Sequence, residues 1–192
     1  MTQPQSHSSV REVLAQRRSS SRVTDEAPSA AEIRDMLALM NSVPDHAKLR
    51  PWRVITLRGS ARDRIGEGLG RAAGADLSDP KKRKSYISKG HRAPLVIAVV
   101  CRLRESKKVP DWEQEATAAG VAHMLTLLLW EAGWGSIWRT GVHTRHPEVS
   151  ATHELAPGER LMGWLYVGGR IPKSPKRRRE IDFEAHLTEL ED

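Results

Sequence analysis

Cysteine is nearly absent: Cys101 is the single thiol in 192 residues, and it lies inside an apolar run. One thiol per chain excludes an internal disulfide, a zinc ribbon and a Cys-x-x-Cys redox pair. Long hydrophobic runs are lacking as well. The longest apolar segment, roughly residues 116–130, is interrupted by His123 and falls short of the ~20 residues that a membrane-spanning helix needs. The first ten residues, MTQPQSHSSV, have no basic start followed by an apolar core, so they do not read as a signal peptide. A cytoplasmic protein without a membrane partner is expected. Several catalytic signatures are also missing. There is no His-Glu-x-x-His, no Gly-x-Ser-x-Gly and no Walker A motif. His143 and His146 form H-x-x-H without a third ligand nearby, and surface-loop histidines are the expectation. Cys101 is expected as inert core rather than as a nucleophile. With acid–base and metal sets wanting, the chemistry shifts toward a cofactor that carries its own reactivity.

Positive charge is what the chain has in excess. Lys and Arg number 31 against 24 Asp and Glu, giving +7 and a pI of about 9.9. Anionic partners are favoured, and nucleic acid, a membrane surface or a phosphorylated small molecule would each satisfy that charge. A hydrophobic fraction of 39% and a charged fraction of 29% suit one folded domain with a real core.

Periodicity sets out an α+β layered domain. Ser9 to Arg17 carries Val10, Val13 and Leu14 at helical spacing, and Ser29 with Glu32 caps a second helix bearing Ile33, Leu37 and Met40. WRVITL alternates as a strand. Ser60 opens a helix weakened by Gly66, Gly68 and Gly70, which lie within it rather than between a strand and a helix, as a dinucleotide fingerprint requires. DPKKRKSYISKGHR reads as a basic, turn-rich connector. APLVIAVVC reads as a strand buried on both faces. Pro110 opens a long helix, apolar nearly all round from Ala116, with Ala116, Ala119 and Gly120 forming a small-residue stripe that admits a backbone or a flat ligand. Gly133 and Gly135 end it. SIWRTG is a short strand or turn, PEVSATHEL a short helix and ERLMGWLYVGG the last strand. Helices outnumber strands without regular crossovers, which favours α+β over a doubly wound sheet. The tail from residue 171 is basic, then acidic.

Four clusters carry possible chemistry. RRSSSR, Arg17 to Arg22, offers forked guanidiniums and hydroxyls as a phosphate cradle, or else a basic helix terminus. SVPDHAKLRPW places Asp45, His46 and Arg50 between Pro44 and Pro51, either as a stiffened ligand-facing loop or as a solvated turn with Trp52 in the core. GSIWRTG sets Trp138, Arg139 and Thr140 between glycines, suiting a flat ring with polar edges or a core strand whose Arg points outward. Glu113 and Glu115, in KKVPDWEQE, are expected as first-turn acids of the long helix.

Taken in order, RRSSSR, PDHAKLRPW, HRAPLVIAVV, KVPDWEQE, GWGSIWRTG and GWLYVGG cover about residues 11–169 and resemble the nitroreductase family of FMN flavoproteins, in particular its branch of small NAD(P)H nitroreductase-like chains. The resemblance implies an α+β fold with a central, mostly antiparallel sheet packed by helices, in an intertwined homodimer that builds two FMN sites at its interface. It implies a tail over 1–9, an FMN-binding domain over 10–170 and a C-terminal extension over 171–192 that wraps the partner subunit. Arg17, Arg18 and Ser19 match the motif that holds the phosphate and ribityl end of FMN. His46 matches a flavin contact supplied by the other subunit, and Trp138, Arg139 and Thr140 match the later flavin-binding triplet, in which the relative has Ser at the position of Thr140. The 128–133 stretch aligns with residues assigned to the nicotinamide nucleotide, although it also reads as helix core. Ser42 falls where a close relative places an FMN-touching Arg, a loss that Arg50 or the run Arg177 to Arg179 would have to offset.

The expected activity is hydride uptake from NADH or NADPH and ping-pong reduction of a small organic acceptor, a nitroaromatic, a quinone or a related compound. Two other readings stand beside it. A flavin-binding protein without turnover is suggested by Ser42. A nucleic-acid-binding module is suggested by the charge and by PKRRR, but scattered cations and aromatics placed in apolar strands and helices disfavour it.

Overall fold

Ser29 and Glu32 form the reciprocal cap that their spacing predicts: Ser29 Oγ accepts the Glu32 N–H at 3.1 Å and Glu32 Oε2 accepts the Ser29 N–H at 2.8 Å. Ser9 and Glu12 make the same box at the first helix. These caps belong to a computed structural model that describes residues 9–172 and 179–190. Its helices are α1 (Val10–Gln16), α2 (Ala30–Ala38), α3 (Asp63–Ala72), α4 (Pro80–Gly90), α5 (Asp111–Glu131) and α6 (Pro147–Thr152). Its strands are β1 (Trp52–Arg58), β2 (Leu95–Arg102), β3 (Trp134–Arg139) and β4 (Glu159–Gly169). They form one sheet in the order β1-β2-β4-β3, every neighbour antiparallel. The expected α+β class holds.

β2 is buried on both faces, as its unbroken apolar run requires. Leu95, Ile97 and Val99 point to one side with Leu165 and Val167 of β4, and meet Ile33 and Met36 of α2 and Val121, Leu125 and Leu129 of α5. Val96, Ala98 and Val100 point to the other side with Leu161, Trp164 and Tyr166, and meet Ile65 of α3 and Val149 of α6. Helices therefore cover both faces of the sheet. α5 runs beneath it as the main support, burying Ala118, Val121, Ala122, Leu125 and Leu129 on one face, while Ala116 and His123 on the other side stay exposed in this chain.

Two local expectations are corrected. The basic connector is a helix. Asp79 caps α4 by accepting the N–H groups of Lys81 at 2.8 Å and Lys82 at 3.4 Å, and Pro80 takes the first position. Its cations line the exposed face, while Tyr86 and Ile87 are half-buried. The glycines of α3 do more than weaken it. A Cβ on Gly66 would lie 2.5 Å from Ile87 Cα and Tyr86 O, and one on Gly68 would strike Thr152 Oγ1. Bare backbone at these positions is what lets α4 and α6 close onto α3.

Candidate functional site

The geometry begins at an irregularity in the sheet. Val99 pairs with Gly163 but Val100 pairs with Leu161, so Met162 is an extra residue in β4. Gly163 takes φ +121°, and a Cβ there would lie 2.5 Å from Arg139 O, 2.7 Å from Trp138 Nε1 and 2.9 Å from Thr140 Cγ2. The bulged Met162 carbonyl accepts the Trp138 indole N–H at 3.2 Å. Bulge and glycine together fix the end of β3.

Trp138 packs toward α5, its indole meeting the His123 ring edge to face with centroids 5.5 Å apart. Arg139, the next residue, follows the strand alternation to the opposite face, its guanidinium carbon 5.6 Å from the Tyr166 ring centre. The three side chains therefore do not stand in a row; what Trp138, Arg139 and Thr140 share is a backbone edge. Arg139 Nε is buried and has no hydrogen-bond partner among the described residues. Thr140 is exposed.

Arg17, Arg18 and Ser19 arrive at the same edge. Ser19 forms a parallel bridge with Ser136, and Ser20 N donates to Ser136 O at 2.8 Å. Arg17 ends α1 by donating its N–H to Val13 O at 2.8 Å. Arg18 turns back on the helix: its Nη1 donates to the carbonyls of Ala15, Gln16 and Arg17 at 3.0, 3.0 and 3.1 Å. Its Nε and Nη2 keep no partner among the described residues. This satisfies the helix terminus and leaves half of the fork for an anion, so both uses read from the sequence are compatible.

Ser42 and His46 sit elsewhere. Ser42 Oγ donates to Leu39 O at 2.8 Å within its own turn. The loop that follows is pinned across the first half of α5: Thr117 Oγ1 donates to Pro44 O at 3.1 Å, and His46 Nδ1 meets Glu113 Oε2 at 2.7 Å. Gly120 admits Val43, whose Cγ1 would lie 2.9 Å from a Cβ there, so part of the small-residue stripe serves this chain's own loop. Glu113, at the loop, and His123, at Trp138, are ten residues apart on α5, a rise of about 15 Å. One chain thus joins the Arg-Arg-Ser segment to the Trp-Arg-Thr edge and holds Ser42 and His46 apart from them.

The first-turn acids have partners that their helix position alone does not suggest. Besides the Glu113–His46 pair, Glu115 accepts from Arg145 at 3.0 Å and from Arg160 at 2.7 Å, and these guanidiniums hold its carboxyl below the usual range. Burial pushes the Cys101 thiol up to about 11, with Glu115 adding to the effect, which suits a core residue. His146 caps α6 by accepting the Glu148 N–H at 3.2 Å. Leu129 is fully buried and Leu128 packs against the same core, so that part of the 128–133 stretch is helix core. Arg177 and Arg178 lie outside the described residues, as do residues 1–8 of the expected tail. Among the described residues, no helix is long and apolar enough to cross a membrane.

A model of the nitroreductase family matches residues 14–169. YdjA of Escherichia coli (strain K12), which bears the name of an NAD(P)H nitroreductase, is 34% identical over 157 residues, 82% of this chain and 86% of YdjA. The chain belongs to the nitroreductase family. Its fold agrees with that of solved nitroreductase-like structures. The nitroreductase-like family protein from Bacillus cereus superposes with a TM-score of 0.83 at 22% identity, covering 98% of this chain and 99% of that one. A variant of NfnB from Sphigopyxis sp. strain HMH, described as an FMN and NADPH-dependent nitroreductase, superposes at 0.74 with 17% identity over 94% of this chain and 98% of that one.

Proposed function

We propose that this nitroreductase-family chain is an FMN-dependent oxidoreductase that takes a hydride from NADH or NADPH and reduces a small organic acceptor in ping-pong fashion. It does so as a cytoplasmic homodimer. The observation that carries the reading is the Ser19–Ser136 pairing, which sets the Arg-Arg-Ser segment against the Trp-Arg-Thr edge, the two stretches on which the family's flavin contacts fall. Residue by residue, the local chemistry fits FMN. Arg139 Nε, a buried guanidinium nitrogen without a partner among the described residues, suits an acceptor atom of a ligand, and the half of the Arg18 fork left unpartnered among them suits a phosphate.

Bound FMN supplies the two-electron chemistry, and the protein supplies position and electrostatics. Arg17, Arg18 and Ser19 would hold the phosphate and ribityl end. The backbone edge at Trp138 to Thr140, held rigid by the Met162 bulge, would orient the ring system, and rigidity matters because hydride transfer depends on geometry set before reaction. The partner's His46 would close the site from across the interface. The separation of His46 from Trp138 along α5 supports two chains sharing each site, as does the exposure of Ala116 and His123 on an otherwise apolar helix. The extension over 171–192 would wrap the partner; within it, Ile181, Phe183 and Leu187 are exposed on this chain.

Purified protein is expected to be yellow, and its flavin spectrum to bleach with NADH or NADPH without oxygen. Colourless protein that takes up no added FMN would contradict the reading. The second reading, a flavin-binding protein without turnover, draws on Ser42, whose hydroxyl is engaged within its own turn. Bound FMN that neither nicotinamide reduces would select it.

A further inference from the structure

The loop that carries His46 also borders a cleft whose lining includes neither Ser42 nor His46. It has a volume of about 370 Å³ and is lined by Met40, Val43, Asp45, Lys48, Arg50 and Trp52 among others. That size accommodates one substituted aromatic ring or one nucleotide base with its appendage. Met40 and Val43 supply a buried apolar floor, and Trp52, half-buried, adds an indole. Lys48 and Arg50 are exposed, and neither side chain has an acidic partner among the described residues. Asp45 is the one opposing charge in the lining, and its Oδ2 already accepts the Arg50 backbone N–H at 2.7 Å. The two cations therefore outnumber a carboxylate that is partly satisfied by backbone.

The backbone at this place is strained. Ala47, Lys48 and Arg50 take φ of 59°, 53° and 48°, the left-handed region that L-residues with a Cβ avoid. Three such residues within four positions are held by Pro44 and Pro51 at the ends, by Asp45 Oδ2 inside the loop and by α5 beneath it. Strain of this kind persists where surrounding contacts impose it, and it concentrates at ligand clamps. Its effect here is to present Lys48 and Arg50 on the cleft that ends at Trp52.

We propose that this cleft is a binding subsite for a small molecule in which one anionic group, a carboxylate or a phosphate, is borne by a flat ring-containing body. The ring lies against Met40, Val43 and Trp52, and the anion lies between Lys48 and Arg50. The inference rests on the oxidoreductase reading for its meaning, because it makes the occupant one of the two reactants: an acidic aromatic acceptor, or the donor through the 2′-phosphate of NADPH. It does not rest on that reading for its test.

The experiment uses the FMN-loaded full chain and the double variant Lys48→Asn/Arg50→Asn, since Asn tolerates left-handed backbone and removes both charges. Calorimetric titration with 4-nitrobenzoate and with neutral 4-nitrobenzyl alcohol covers the acceptor arm; titration with 2′,5′-ADP and with 5′-AMP covers the donor arm. A charge-assisted contact is worth about a tenfold change in affinity. The variant is therefore expected to weaken one anionic probe by about tenfold or more and to leave its neutral or less charged counterpart within about twofold. The arm that moves identifies the reactant. KM values for the same pairs are expected to shift in parallel. In the unaltered protein, raising salt from about 0.05 to 0.5 M is expected to weaken the same probe, which tests the subsite without any substitution. Unchanged affinity in both arms, with no salt dependence, overturns the proposal. So does loss of FMN from the variant with probe affinities unchanged, which would assign both cations to the cofactor. A protein that binds the probe through these residues but is not reduced by either nicotinamide would sink the oxidoreductase reading and leave the subsite standing.

Discussion

Ser19 and Ser136 lie side by side in a parallel bridge, 117 positions apart in the chain, with Ser20 N donating to Ser136 O at 2.8 Å. This pairing covers the outer edge of β3, which would otherwise present unpaired backbone groups to solvent. It also brings the end of α1 to the strand that carries Trp138 and Arg139. A structural device for closing a sheet edge is thereby the device that assembles the candidate cofactor site.

Ser20→Pro removes the donor of that bond. The substitution is expected to lower stability by about 1–3 kcal/mol and to weaken FMN binding by about tenfold or more, because Arg17 and Arg18 lose their anchor. Quenching of FMN fluorescence on titration measures the affinity. Tight FMN binding in a variant with lowered stability would separate the bridge from the site.

Gly163→Ala places a methyl group 2.5 Å from Arg139 O on a residue held at φ +121°. The expected cost is about 1–3 kcal/mol, with displacement of the Trp138–Thr140 edge and loss of bound FMN. Thermal unfolding together with the flavin content of the purified variant checks both effects.

Glu113→Gln keeps the size of the side chain and removes the charge that faces His46 at 2.7 Å. Because the pair is partly exposed, stability is expected to change by less than about 1 kcal/mol. If the partner's His46 touches the flavin, the variant will nonetheless shift the midpoint potential of bound FMN. A potential equal to that of the unaltered protein would place His46 away from the ring.

His153 gives a pH dependence. It is buried beneath the sheet, where Nδ1–H donates to Val149 O at 2.8 Å and Nε2 accepts the Trp164 indole N–H at 2.9 Å, a pattern that only the neutral ring satisfies. Burial lowers its pKa from the ordinary value of 6.5, against an opposing contribution from the Val149 carbonyl. Below about pH 6.5 the unfolded chain takes up this proton before the folded one does, so stability falls as pH drops below about 6.5. The carboxyls of Glu115 and Glu159, held low by their arginines, lose their contribution only below about pH 4.5. His153→Phe is expected to be less stable at every pH, since it strands the Trp164 N–H, and to lose the slope that sets in just below about pH 6.5. A slope that persists in the variant would assign it to other histidines.

How far the sequence carries depends on what fixes each part. β2 is legible because burial on both faces leaves a continuous apolar run, and α5 because its middle turns are apolar nearly all round. The caps at Ser9 and Ser29 are legible because both partners lie within one turn. α4 is not, because its exposed face is crowded with cations and its buried contacts are few residues such as Ile87. Gly66 and Gly68 look like helix breakers until α4 and α6 are seen lying against them. His46 and Glu113 are 67 residues apart, so no local pattern announces their pairing. Trp138 and Arg139 were adjacent in the motif, and only the strand's alternation places them on opposite faces.

The claim on which the functional account depends is that two chains hold each FMN jointly. Sedimentation followed at the flavin absorbance near 450 nm measures this directly. The account predicts that flavin travels with a species of twice the 21.5 kDa chain mass, at one FMN per chain. Flavin sedimenting with a single 21.5 kDa chain would contradict it.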